Sequence, residues 1–157
     1  MRRYLTFILF VVIGCTSRSE KNSFRLGDFK MKSLDGKSLD MSSLEGKTVF
    51  INVWATWCKP CIQEMPTIAK AMEMIGDKNV VFLFASSEET SEITEFADRK
   101  SFPFKYVQLE NLEALSIKAI PATFIFSPEG ELDFGEEGFR DWSTEENMTL
   151  ITKHLNP

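Results

Sequence analysis

The chain reads as an α/β protein with a mixed central β-sheet flanked by helices. Three observations predict this. Apolar runs of strand length stand at residues 48–54, 80–85 and 122–126. Segments with helical apolar spacing follow the first two runs. After the third, Ser127-Pro128-Glu129-Gly130 turns the chain back into residues 131–134 as an antiparallel hairpin. Strand–helix alternation followed by a hairpin gives a sheet with both kinds of neighbour.

Residues 24–47 carry Asp35-Gly36 between alternating segments at 29–31 and 39–41. That pattern predicts an N-terminal β-hairpin extension with a tight turn. Residues 48–54 are apolar on both faces, as a central strand should be. A helix is predicted over 58–75, with Ile62, Met65, Ile68, Ala69 and Met72 at helical spacing. Pro66 lies past its first turn and should kink it. Residues 80–85 form a second buried strand. A helix over 91–100 turns Ile93, Phe96 and Ala97 inward, and a short helical turn covers 111–116. Residues 122–126 are the third core strand. Ser143 with Glu146 fits a capping box, opening a last helix that runs to Leu155.

The motif that carries chemistry is Trp57-Cys58-Lys59-Pro60-Cys61, between the first core strand and the first helix. Residues three apart on a helix share a face, with β-carbons about 5–6 Å apart. A disulfide needs Cα atoms roughly 4.4–6.8 Å apart. Cys58 and Cys61 can therefore join or separate with little backbone movement, as thiol–disulfide exchange requires. Cys58 falls at the helix N-terminus, where orphan N–H groups and the positive dipole end favour a thiolate. That contribution is about 0.3–1 kcal/mol, rising to ~2 when partly buried. An exposed Lys59 adds only ~1 kcal/mol at ~4 Å, and less in salt. Together they bring a free-cysteine pKa of ~8.5 to about 6–8. Pro60 suits the first helical turn, where its missing N–H has no partner to lose. The alternatives are a plain structural disulfide or half of a zinc site. Zinc normally takes four ligands, and Cys15 and His154 both lie far away in the sequence.

The 157 residues, 43% hydrophobic and 26% charged, fit one globular domain with an appendage. Met1-Arg2-Arg3 is basic, residues 5–13 are almost wholly apolar, and Gly14-Cys15 follows. The run is too short to span a bilayer, which takes ~20 residues, and resembles an export signal. Val12-Ile13-Gly14-Cys15 looks like a lipobox, whose cysteine becomes the acylated first residue. A plain secretory signal and an ordinary buried cysteine are the alternatives. The expected organisation is a lipoprotein signal peptide over 1–14, a polar tether over 15–23 after acylated Cys15, and one domain over 24–157. Loss of Arg2 and Arg3 takes the formal charge from −5 to −7. So acidic a body argues against nucleic acid as a partner. Once Cys15 is acylated, only the Cys58/Cys61 pair remains free, which avoids scrambling in an oxidising compartment.

Three stretches carry a family resemblance: Asn52-Val53-Trp54-Ala55-Thr56-Trp57-Cys58-Lys59-Pro60-Cys61, Glu64-Met65-Pro66, and Ala119-Ile120-Pro121-Ala122-Thr123. From Phe24 onward the chain resembles the TlpA/ResA-type thiol–disulfide oxidoreductases, of the thioredoxin-like superfamily. The resemblance implies a thioredoxin-like fold. It implies that Cys58 is the exposed nucleophile and Cys61 the buried resolving thiol. Pro121 would be cis and face the dithiol, leaving the Ile120 backbone to pair with a substrate strand. An ordinary strand-leading proline is the other reading. Trp57, Lys59, Pro60, Ile120 and Pro121 would line the substrate groove, with Trp54 either shielding the site or packing in the core and Gly138-Phe139 at the groove edge. Thioredoxins proper carry a buried aspartate six residues before the first cysteine. Asn52 stands there instead and cannot shuttle a proton. Glu64, one helical turn after Cys61, is the replacement candidate. Buried beside the sulfurs it would have a raised pKa and could accept the Cys61 proton. As a solvated helix residue it would do neither.

The expected function is dithiol–disulfide exchange, in the reductive direction, on disulfide-bearing proteins of the bacterial cell envelope or periplasm. Cytochrome c biogenesis is one such setting. No cofactor is expected, because the Cys58–Cys61 pair itself carries two electrons, and no metal. The expected partners are those substrates, a membrane electron-donor thiol protein, and the membrane through the lipid anchor. Two rivals share the fold. A peroxidase would need a Pro/Thr-rich pocket around Cys58, where Trp57 and Lys59 stand instead. A metal- or haem-delivery module using the same dithiol would need a histidine near the third core strand, and none is there.

Overall fold

The computed structural model describes residues 24–76 and 79–155. The signal peptide over 1–14, the tether over 15–23 and the acylated Cys15 lie outside the described residues. The elements are β1 (Met31–Ser33), β2 (Thr48–Val53), α1 (Lys59–Ile75), β3 (Val80–Ser86), α2 (Thr90–Lys100), β4 (Lys105–Leu109), β5 (Ala122–Phe126), β6 (Leu132–Glu137) and α3 (Glu145–Thr152). The six strands form one sheet in the order β1-β4-β3-β2-β5-β6. The pairs β2–β3 and β3–β4 are parallel, whereas β1–β4, β2–β5 and β5–β6 are antiparallel. The sheet is mixed, as the strand–helix alternation and the closing hairpin require.

Every residue of β2 is buried, and the two-residue period of a strand sorts them between two cores. Phe50, with Trp54 just beyond the strand, faces the core that receives the buried positions of all three helices. Val49, Ile51 and Val53 face the other core, which Leu26, Phe29, Met31 and Leu44 close from the N-terminal segment. The helices thus cover one face of the sheet. The other is covered by residues 24–47 and a 3-10 turn at Leu112–Leu115.

The predicted N-terminal hairpin extension is reduced to a single bridge between Lys32 and Ser38. Gly36, at φ 83°, closes the turn as read. The returning arm then stops, because the Asp40 side chain accepts from the Ser42 N–H and starts a 3-10 turn over Met41–Leu44. β1 instead pairs antiparallel with β4 and becomes an edge of the main sheet. β4 was not anticipated from the sequence, although Lys105-Tyr106-Val107-Gln108-Leu109 carries strand-forming residues. Tyr106 faces the helix side while Val107 and Leu109 face the other core.

α1 starts with Cys58 as N-cap, runs through Pro66, and ends at Gly76, where φ is 65°. Its buried face is Cys61, Glu64, Met65, Ile68, Ala71 and Ile75. Ile62, Ala69 and Met72 are only half-buried. The buried stripe is therefore rotated toward Cys61 and Glu64, a carboxylate that hydropathy places in solvent.

α3 is capped by Thr144, not Ser143. The Thr144 hydroxyl accepts from the Asn147 N–H, whereas the Ser143 hydroxyl is taken by Asp141 Oδ1 at 2.7 Å. Thr144→Ala should lower stability by about 1 kcal/mol in urea unfolding. Ser143→Ala should cost less than half of that. The reverse order would restore the sequence-predicted cap.

Candidate active site

β2 delivers the chain into a turn, Ala55-Thr56-Trp57, that presents Cys58. The Cys58 N–H donates to the Ala55 carbonyl at 3.1 Å. Glu88, two residues past the end of β3, holds this turn. It accepts from the Thr56 N–H at 2.8 Å, the Thr56 hydroxyl at 2.7 Å and the Ser86 hydroxyl at 2.9 Å. Gln108 of β4 donates to the Glu88 carbonyl at 3.1 Å. Sequence reasoning missed Glu88, because Thr56, the residue through which it holds the turn, is 32 residues away.

Cys58 and Cys61 are joined as a disulfide with Cα atoms 5.3 Å apart. The Cys58 sulfur also accepts from the Cys61 N–H at 3.2 Å. That contact is the N-cap interaction of a helix whose first N–H groups have no other acceptor. It favours negative charge on Cys58 for the reason the motif suggested. Cys61 is fully buried, but Cys58 is only 4% exposed. The freely exposed nucleophile that the resemblance implied is, in this disulfide form, largely covered. Its sulfur lies 3.7 Å from the Ile120 carbonyl oxygen.

The Ile120–Pro121 peptide is cis. Pro121 is buried and Ile120 half-buried, while Trp57, Lys59 and Pro60 are exposed. Trp57, at 73%, is the most exposed large apolar residue among the described residues. Ile120 is thereby brought to Cys58 from a segment 62 residues away. The Gly138 N–H donates to the Pro121 carbonyl at 2.6 Å, and Phe139 next to it is 54% exposed. Trp54 belongs to the buried cluster that also takes in Cys58 and Cys61. It is buried against Phe96 and Tyr106, with ring centroids at 4.6 and 5.5 Å.

Glu64 is fully buried. Its Oε1 accepts from the Trp142 indole N–H at 2.6 Å and the Arg140 backbone N–H at 3.2 Å. Its Oε2 accepts from Asn52 Nδ2 at 3.3 Å, and the same amide nitrogen donates to Thr123 Oγ1 at 3.0 Å. Burial pushes the Glu64 carboxyl up to about 7, and these donors hold it from rising further. Asn52 Oδ1 is buried without a partner. Asn52 and Glu64, its replacement candidate, are thus direct neighbours. Trp142 and Arg140 were missed, since nothing in their spacing ties them to residue 64. Among the described residues, no group of three or more His, Cys, Asp and Glu side chains is placed to hold a metal ion.

Residues 25–134 match the AhpC/TSA family. The thiol–disulfide oxidoreductase ResA of Geobacillus kaustophilus is 31% identical, over 84% of this chain and 83% of that protein. The chain belongs to the AhpC/TSA family and, within it, to the ResA-type thiol–disulfide oxidoreductases. ResA of Halalkalibacterium halodurans is 29% identical over 96% of this chain and 93% of its own length. A thioredoxin-family thiol:disulfide interchange protein from Chlorobium tepidum superposes with a TM-score of 0.64 at 20% identity. That match covers 85% of this chain and 94% of the other, and the fold is thioredoxin-like. No described helix is long and apolar enough to cross a membrane.

Proposed function

We propose that this ResA-type protein reduces disulfides of cell-envelope proteins while tethered outside the cytoplasm by a lipid on Cys15. The observation that carries the chemistry is the Cys58–Cys61 pair at the N-terminus of α1, with the Ile120 carbonyl 3.7 Å from Cys58. In the reduced protein the Cys58 thiolate attacks one sulfur of a substrate disulfide, and a substrate thiolate leaves. Cys61 passes its proton to Glu64 and attacks the Cys58 sulfur, releasing the second substrate thiolate. Two electrons move from the dithiol to the substrate, and the Cys58–Cys61 disulfide forms. A membrane thiol protein returns the two electrons, so no bound cofactor is required. Trp57, Lys59, Pro60, Ile120 and Pro121 form the groove, with Ile120 pairing to an extended substrate segment. The lipid anchor rests on the Val12-Ile13-Gly14-Cys15 sequence. Loss of the anchor in Cys15→Ser would release the protein from washed membranes.

Trapping tests both substrate class and mechanism. Cys61→Ala cannot resolve the mixed disulfide, so envelope proteins should accumulate covalently on Cys58. They should be released by reductant and be absent from the double Cys58→Ser/Cys61→Ala variant. If the adducts persist without Cys58, the assignment of the nucleophile fails. If no envelope protein is trapped, the reductive reading fails.

A further inference from the structure

We propose that Trp142 is a positioning residue for the resolving step, holding Glu64 as proton acceptor through its indole N–H. Trp142 sits in the segment that links β6 to α3, from Gly138 to Thr144. The inference rests on Glu64 taking the Cys61 proton, as argued above, and assigns the residue that keeps it able to do so.

Trp142 is 1% exposed, and its N–H points at a fully buried carboxylate oxygen 2.6 Å away. A hydrogen bond to an ionised acceptor in such a place is about twice as strong as a neutral one. The ring cannot easily turn away. It packs edge-on against Phe50 at 4.8 Å and Phe134 at 5.7 Å. Its backbone N–H donates to Thr67 Oγ1 at 3.1 Å, and that hydroxyl donates to the Glu64 carbonyl at 2.8 Å. The linking segment is therefore stitched to α1 at residues 64 and 67. At its other end the Gly138 N–H holds the carbonyl of Pro121. One short stretch of chain fixes both the wall of the substrate groove and the proton acceptor behind the dithiol.

The other groups facing Glu64 do not replace this donor. On β2 and β5 they are neutral: Asn52 and Thr123. On α1 the neighbour in the mechanism is Cys61. In the linking segment Arg140 contributes its backbone N–H and a favourable charge. Its guanidinium is itself occupied by Asn147 and by Glu136 of β6. Without the indole N–H the carboxylate loses its shortest bond, and the protonated form, which cannot accept a proton, gains.

The rate of mixed-disulfide resolution should have an acidic limb with a midpoint near 7 in the wild type. Trp142→Phe keeps the ring and removes the N–H. Its limb should move up by about one pH unit, with resolution about fivefold slower at pH 7 and normal by about pH 9. A uniform slowing at every pH, or an unmoved limb, would reduce Trp142 to packing. Glu64→Gln is the control for the reading beneath. If that variant keeps the limb, Glu64 is not the acceptor, and the failure lies there. If it abolishes the limb while Trp142→Phe leaves it unmoved, only the Trp142 inference fails. A second readout needs no variant that must fold. The Trp142 indole N–H resonance in the wild-type oxidised protein should titrate with Glu64, with a midpoint near 7. An indole signal flat from pH 5 to 9 would overturn the proposal (pH range ~5–9 spans the relevant carboxyl shift).

Discussion

Cys58→Ser should lower catalysed reduction of a protein disulfide by roughly a thousandfold or more, at least about 4 kcal/mol of barrier. The reason is the leaving and attacking sulfur itself. A hydroxyl in the same place is not ionised at neutral pH and is a poor nucleophile toward sulfur, whereas a helix-capped thiol is partly thiolate. The Cys61 N–H contact at 3.2 Å and the N-terminal position are kept in the variant as a place for an oxygen. The fold should therefore survive. The disulfide closes a loop of sequence separation 3, so its chain-entropy contribution is only about 2 kcal/mol. Insulin or another protein disulfide serves as substrate, with urea unfolding as the folding control. Retained turnover in a folded Cys58→Ser protein would sink the proposed mechanism. Cys61→Ala should differ in kind: one round of attack, then arrest as the mixed disulfide.

The dithiol was legible because its chemistry is local. Spacing, helix position and the preceding apolar run all lie within ten residues of Cys58. The alternation of β2, β3 and β5 was legible for the same reason, since a strand buried on both faces shows in its own composition. The N-terminal hairpin is present but short, because turn residues mark a reversal and do not decide how far pairing continues. Asp40 capped a 3-10 turn, and the main sheet took β1. The capping box at Ser143 did not form, since Asp141 competes for the Ser143 hydroxyl. The cage around Glu64 was invisible because Trp142 is 78 residues away and reaches it only through the packing of α3's approach onto α1. Glu88 is a like case. Side chains that hold a site from a distance leave no periodicity behind them.

Glu64→Gln should remove most of the pH dependence of stability between about pH 5 and 8 in the oxidised protein, where neither thiol titrates. In the unfolded chain Glu64 returns to an ordinary value of 4.5, while in the folded protein it lies at about 7. Between those values the unfolded chain has lost a proton that the folded chain keeps. Stability therefore falls as pH rises. The contribution is fully present below about 4.5 and is lost as the pH rises through about 7. At about 1.4 kcal/mol per unit, the loss is roughly 3 kcal/mol. Glutamine is neutral throughout, and its amide can donate to Asn52 Oδ1, which has no partner now, if the Asn52 amide turns. The variant should match the wild type near pH 4.5 and exceed it at pH 8, read by urea unfolding of both oxidised proteins across that range. Parallel stability curves would mean that Glu64 ionises normally in the fold. In that case it could not gate a proton near neutrality. The sign of this effect also bears on mechanism. A carboxylate that is costly to ionise where it sits binds a proton readily, and resolution of the mixed disulfide at Cys61 supplies one.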